Sequence, residues 1–183
     1  MAERGTRVDA LSNRARIVEA ARTLVESSGE LRLSAVAKKA GVGQGTMYRH
    51  FPNREELLAE VYRTNVEQLV ASADELLSQH DSITAFRRWF DYVAEYARIK
   101  RGVLAALETD TGAALTQRSP TSIGGAIATL LDAGKAEGTI RDDVDARDVL
   151  LLLGHLTRLD EHEAAERGRH TLDLILDGLR TRD

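Results

Sequence analysis

The stretch Ala40–Phe51, "AGVGQGTMYRHF", sets glycine at positions 41, 43 and 45 and follows it with a basic, aromatic tail. Glycine-rich runs cradle phosphates in dinucleotide-binding proteins, but there a strand precedes the loop and the spacing is G-x-G-x-x-G. Here the sixth position is Thr46, no lysine follows to complete a P-loop, and the preceding segment has helical periodicity. A helix, then Gly41 and Val42, then a second helix fits the tight, glycine-containing turn of a helix-turn-helix. The phosphates implied by the basic tail are then those of DNA.

The neighbouring sequence supports that turn. Ile17, Ala20, Ala21, Leu24 and Val25 recur at helical spacing, with Gly29 placed to end the helix. Leu33, Val36, Ala37 and Ala40 share a face of a short second helix that Gly41 stops. Met47, Tyr48 and Phe51 then recur at helical intervals, with Met47 and Phe51 on the core side, until Pro52. Asn53 is placed to cap a long helix with Glu56 as its capping-box partner, and the stripe Leu58, Tyr62, Val66, Leu69, Ala73 and Leu76 carries that helix to about Gln79. Further helices are expected over 82–99 and 101–108, from Ser119–Pro120 to Gly138, from Asp145 and Asp148 through "VLLLLGHL", and from about Glu161 to Leu179. No alternating strand pattern of useful length interrupts them, so the expected fold class is all-α.

Charge is divided unevenly along the 183 residues. Residues 1–54 hold ten lysines and arginines against five acidic residues, a local charge of +5, whereas the remaining 129 carry −9. A basic head on an acidic body suits a polyanion partner. The absence of cysteine excludes thiol catalysis, disulfides and cysteine–zinc sites, and fits a reducing cytoplasm. No apolar run approaches the ~18 residues of a membrane span, and the N-terminus has no apolar signal region. The expected location is cytoplasmic, with no membrane partner.

Over residues 13–62, "RIVEAARTLVESSG", "SAVAKKAGVGQGTMYRHFPNREELLAEVY" and their spacing resemble the N-terminal domain of the tetracycline-repressor (TetR) family of bacterial regulators. Two positions depart from the family pattern. Arg32-Leu33-Ser34 stands where a capping threonine is usual, and Gly43 stands where a serine often starts the recognition helix. The resemblance implies a helix-turn-helix domain over 1–54, a connecting helix from residue 54, and a helical effector-binding and dimerisation domain over 55–183. It implies a ligand-responsive DNA-binding regulator, most simply a repressor released from a palindromic operator, with no enzymatic activity and no cofactor.

The residues of the recognition segment support this reading independently. Short polar side chains at the start of a recognition helix read base edges, and donors on its flanks hold phosphates. Gln44 can pair with adenine in the major groove, and Gly45 lets the backbone approach the duplex. Thr46 offers a methyl for thymine and a hydroxyl for phosphate. Tyr48 and His50 supply phosphate donors, while Arg49 reaches phosphate or base. Arg54 sits at a helix N-terminus that already favours an anion, and Ser34 and Lys38 can anchor the second helix across the backbone. Lys39 and Arg22 read as ordinary solvated charges.

In the body, the family bodies' habit of binding effectors between helices makes Trp89, Tyr92 and Tyr96 a candidate pocket wall, with Glu108, His155 and Arg158 as polar contacts. The three aromatics equally suit core or interface positions, and His155 a satisfied buried site. With no lysine or arginine on that wall except Arg158, the expected effector is small and largely apolar. Leu153, Leu172, Leu176 and Leu179, on the last two helices, are the candidate interface of a homodimer, the symmetry that reading two half-sites requires. Two rival readings carry distinct tests. A non-DNA adaptor of the same fold would lack salt-dependent DNA binding. A small helical metalloenzyme would use His162, Glu166 and His170, which lack an H-E-x-x-H or E-x-x-H pair; no metal ligand is assigned.

Overall fold

Gly41 adopts φ 64° and ψ 37°, the left-handed conformation that glycine enters without steric penalty. Its N–H reaches Lys38 O at 3.2 Å and that of Val42 reaches Ala37 O at 3.0 Å, so the first helix of the motif ends in a Schellman turn. Around this turn, a computed structural model describes residues 2–28, 31–107, 119–159 and 161–181, with side chains described for 12–25, 31–107, 121–156, 159, 162–164 and 166–181. The helices are α1 (Ala2–Ser28), α2 (Leu33–Ala40), α3 (Gln44–His50), α4 (Arg54–Gln79), α5 (Ser82–Ala106), α6 (Ser119–Ala136), α7 (Ala146–Leu153) and α8 (Glu161–Leu179), with a 3₁₀ turn over Gly154–Arg158. Among the described residues the sole strand-like pairing is an isolated bridge between Ile140 and Arg180. The fold is all-α.

The chain forms two compact units, Met1–Thr64 with Gly102–Leu115, and Asn65–Arg101 with Thr116–Asp183. The first is built on Ile17, Ala21, Val25, Val36, Met47, Phe51, Leu57 and Leu58, all buried. Asn53 opens α4 as expected: Glu56 N–H donates to Asn53 Oδ1 at 2.8 Å, and Asn53 Nδ2 donates to Glu56 Oε1 at 3.1 Å. Two arginines of α1 hold the ends of the motif. Arg16 donates to the carbonyls of Ala40 and Gly41, where α2 leaves acceptors unpaired. Arg14 donates to His50 O at 3.4 Å, lies 4.5 Å from the Phe51 ring centroid and pairs with Glu60 at 3.1 Å. A hydrogen bond from Arg63, joined by the charge of Arg14, outweighs partial burial and holds the Glu60 carboxyl below its ordinary pKa. A depressed carboxyl pKa stabilises the fold above the unfolded value and loses that contribution as pH falls through the folded one.

The sequence suggested a break near residue 100, but α5 runs unbroken to Ala106. Gly102 has a packing role there. A Cβ there would sit 2.5 Å from Val25 Cγ1 and 3.2 Å from Val25 O, so the glycine lets α5 lie against α1. Helix propensity costs about 1 kcal/mol at such a position, and close packing overrides it.

In the second unit the aromatic cluster is core. Trp89 is 0% exposed, its Nε1 donates to Leu69 O at 2.9 Å, and Phe86 meets it edge-on at 6.0 Å. Glu137, at the end of α6, accepts from Ser82 N at 3.1 Å and Ser82 Oγ at 2.6 Å, capping the buried start of α5. Asp145 and Asp148 form a full capping box on α7. The leucine stripes face inward: Leu153, Leu172, Leu176 and Leu179 are all buried within this chain. Leu151 (61% exposed), Leu152 (47%) and Leu174 (57%) occupy the open sides instead.

Candidate functional site

α3 separates its two faces cleanly. Met47 is buried and Phe51, its C-cap, is buried with it, while Gln44, Gly45, Tyr48 and Arg49 face solvent. Tyr48 is 53% exposed, so its ring is not core. Thr46, His50 and Arg54 are half-buried, and Ser34 and Lys38 are exposed on α2. Arg32 and Gly43, at the N-caps of α2 and α3, make no side-chain capping bond.

Two glycines here border open space. A Cβ at Gly43 or Gly45 would meet nothing within 4 Å, and neither residue has a positive φ. Gly41 differs, because its conformation demands glycine. Gly45 lies in the first turn of the seven-residue α3 and is a weaker helix former than alanine.

The cationic groups divide into two sets. Arg14 and Arg16 serve the internal contacts above, and Arg22 is held by Glu19 at 2.7 and 2.9 Å. That hydrogen bond lowers the Glu19 pKa. The exposed set near α3 includes Lys38, Lys39 and Arg49. Arg49 folds back on its own helix, donating to Gly45 O and Thr46 Oγ1, each at 3.2 Å. Arg54 Nε is buried with no hydrogen-bond partner among the described residues. Net charge did not separate the internal arginines from the external ones; only the carbonyls left open at helix ends do so.

The second unit contains a cavity of about 210 Å³ with apolar walls from Leu69, Val93, Ile123, Leu150, Leu153 and Leu156. Of the expected aromatic wall only Tyr96 lines it. Trp89 is sealed in the core, and Tyr92, 38% exposed, does not border the cavity. His155 also stands outside the lining, with Nδ1 bonded to Leu152 O. Glu108 and the side chain of Arg158 lie outside the described residues. Lys100 and Arg147, which the sequence did not single out, also line the cavity. The one available signal was Lys100 four residues beyond Tyr96 on the same helical face, its Nζ 5.8 Å from the ring centroid.

His162 Nε2 and Glu166 Oε1 lie 3.5 Å apart on exposed α8, an ordinary i,i+4 pair. Among the described residues no three potential metal ligands cluster, and no helix is long and apolar enough to cross a membrane.

Two helices joined at a glycine turn, the second presenting a polar face over a basic flank, define a helix-turn-helix DNA-binding protein. Residues 17–61 match the model of bacterial regulatory proteins of the tetR family, and 81–181 match the SbtR-like transcriptional regulator C-terminal domain. A crystal structure of a TetR transcriptional regulator from Streptomyces coelicolor is 33% identical, covers 93% of this chain and 99% of its own, and superposes with a TM-score of 0.82. One from Mycobacterium vanbaalenii is 28% identical over 96% and 99% of the two chains, with a TM-score of 0.76. An HTH-type transcriptional regulator of Staphylococcus aureus is 27% identical over 105 residues, 56% of this chain. The chain spans 57% of that curated relative's length. The chain belongs to the TetR family of DNA-binding transcriptional regulators.

Proposed function

We propose that the chain is a repressor that binds a palindromic operator as a homodimer and leaves it when a small, largely apolar molecule occupies the second unit. The observation that carries this reading is α3 itself: an exposed polar face with open space beside Gly45. Gln44 and Thr46 read bases, and Gly45 lets the helix backbone come close. Ser34, Lys38, Tyr48, His50 and Arg54 hold phosphates, and Arg49 leaves its own helix to join them. Leu152 and Leu174, exposed on α7 and α8, form the apolar part of the dimer face.

Release follows from geometry. Two heads engage successive major grooves when they stand ~34–36 Å apart, and α4 contributes residues to both units. A ligand that favours one tilt of α4 must bind that state better than the other. Coupling of about 1–3 kcal/mol lowers operator affinity roughly 5–150-fold.

Titration of duplex sites by fluorescence anisotropy tests the assignment. Gln44→Ala is expected to lose about 1–3 kcal/mol of discrimination at one base pair. Tyr48→Phe and Arg54→Ala should weaken every sequence alike, with a shallower salt dependence for Arg54→Ala. Unchanged base preference in Gln44→Ala would remove that residue from the base-reading role. Gly45→Ala gives a complementary result: the first unit gains up to about 1 kcal/mol from helix propensity, while DNA affinity falls. A variant that gains stability and keeps its affinity would show that no close approach occurs at residue 45.

A further inference from the structure

The cavity of the second unit joins an apolar body to a specific polar complement. Lys100 and Arg147 both line it, and no carboxylate does so among the described residues. Lys100 is half-buried on α5, with its ammonium 5.8 Å from the Tyr96 ring centroid. Arg147 comes from the first turn of α7, where Asp145 and Asp148 are already engaged as a capping box with backbone N–H groups. Neither of those carboxylates belongs to the lining.

Burial lowers the Lys100 pKa, because desolvation penalises the charged amine. A partly desolvated cation without a counter-charge is disfavoured, and an anion placed beside it offsets part of that cost. The remaining lining excludes a strongly hydrated ligand. Leucine, isoleucine and valine side chains gain from an aliphatic or aromatic body and offer nothing to a sugar or nucleotide.

Size narrows the class further. At about 210 Å³ the cavity lies below the ~300–1,000 Å³ of drug-sized sites. Taking the ~30 Å³ that a water occupies in the liquid as the unit, it holds about seven such volumes. That suits a six- to eight-carbon acid rather than a long lipid or a dinucleotide.

We infer that the cavity binds a small amphipathic monocarboxylate, its carboxylate facing Lys100 and Arg147 and its hydrocarbon or phenyl body against the leucine-rich wall. The inference rests on the reading of this cavity as the effector site, and it names the chemistry of that effector. Trp89, the sole tryptophan, is positioned to report on occupancy because its Nε1 is bonded to Leu69 O and Leu69 lines the cavity.

The test titrates the full chain with hexanoate and phenylacetate, with hexanamide as the neutral isostere, and with hexylamine, reading calorimetry and Trp89 emission. The carboxylates are expected to bind saturably, at least about tenfold tighter than hexanamide, with no measurable binding of hexylamine. Lys100→Met, which keeps the length of the side chain and removes its charge, should abolish the preference for acid over amide. Arg147→Gln, at an exposed position, should reduce it without loss of helicity. Equal or tighter binding of hexanamide or hexylamine, absence of saturable carboxylate binding, or a preference that survives both substitutions would overturn the inference.

Operator release is measured separately by anisotropy. Release by hexanamide alone would leave the effector reading standing and end the carboxylate assignment. Carboxylate binding through Lys100 without release would support the assignment and end the effector reading.

Discussion

Trp89→Ala is expected to destabilise the second unit by about 3–5 kcal/mol, the range for truncating a large buried aromatic. The side chain is 0% exposed, packs edge-on against Phe86 and satisfies Leu69 O through Nε1. Trp89→Phe should lose less, because most of the buried area remains and the hydrogen bond is worth about 0.5–1.5 kcal/mol. Tyr92→Ala, at a site 38% exposed, should stay within about 0.5 kcal/mol. Urea denaturation followed by far-ultraviolet circular dichroism orders the three. An unchanged midpoint in Trp89→Ala would contradict the assignment of this residue to the core.

Paired charges at Leu152 and Leu174 are expected to have the largest functional effect. Both side chains are exposed in the single chain, at 47% and 57%, so Leu152→Glu with Leu174→Glu should leave the fold intact. The dimer face, however, would carry four acidic groups across a twofold axis. Monomers lose the second half-site, and with it the roughly 10²–10⁴-fold that linked binding adds. Sedimentation should show monomers at concentrations where the unaltered chain is dimeric, and operator affinity should fall by that factor. Leu176→Glu is the contrasting variant: buried at 1% exposure, it should unfold the second unit instead. A double variant that stays dimeric would place the interface elsewhere.

These two results follow from the features that the sequence did not reveal. Local signals carried far. Asn53 with Glu56, Asp145 with Asp148, and Gly41 each fix a helix end through a bond made within a few residues, and each appears as expected. The polar face of α3 was legible for the same reason, since Met47 and Phe51 define its inward side. Periodicity shows that Leu172, Leu176 and Leu179 form a stripe, but not whether the same chain or its copy covers it. Here the same chain does, and Leu174 remains open.

Long-range partners were illegible. Nothing near Gly102 in sequence indicates that Val25 will fill the space a Cβ would need. Nothing near Trp89 indicates that Leu69 O awaits its indole nitrogen. Lys100 and Arg147 share a cavity across 47 positions of sequence, so composition of either segment alone could not pair them. Arg14 and Arg16 counted toward the basic head, yet their charge is spent on carbonyls, a ring and Glu60.

Helix α3, presented twice by a symmetric dimer, is expected to read duplex DNA. Selection of bound duplexes from a random pool, followed by sequencing, tests it most directly. One enriched inverted repeat is expected, with half-site centres one helical turn or a multiple apart, about 10–10.5 base pairs per turn. No enriched sequence, or a motif without twofold symmetry, would contradict it.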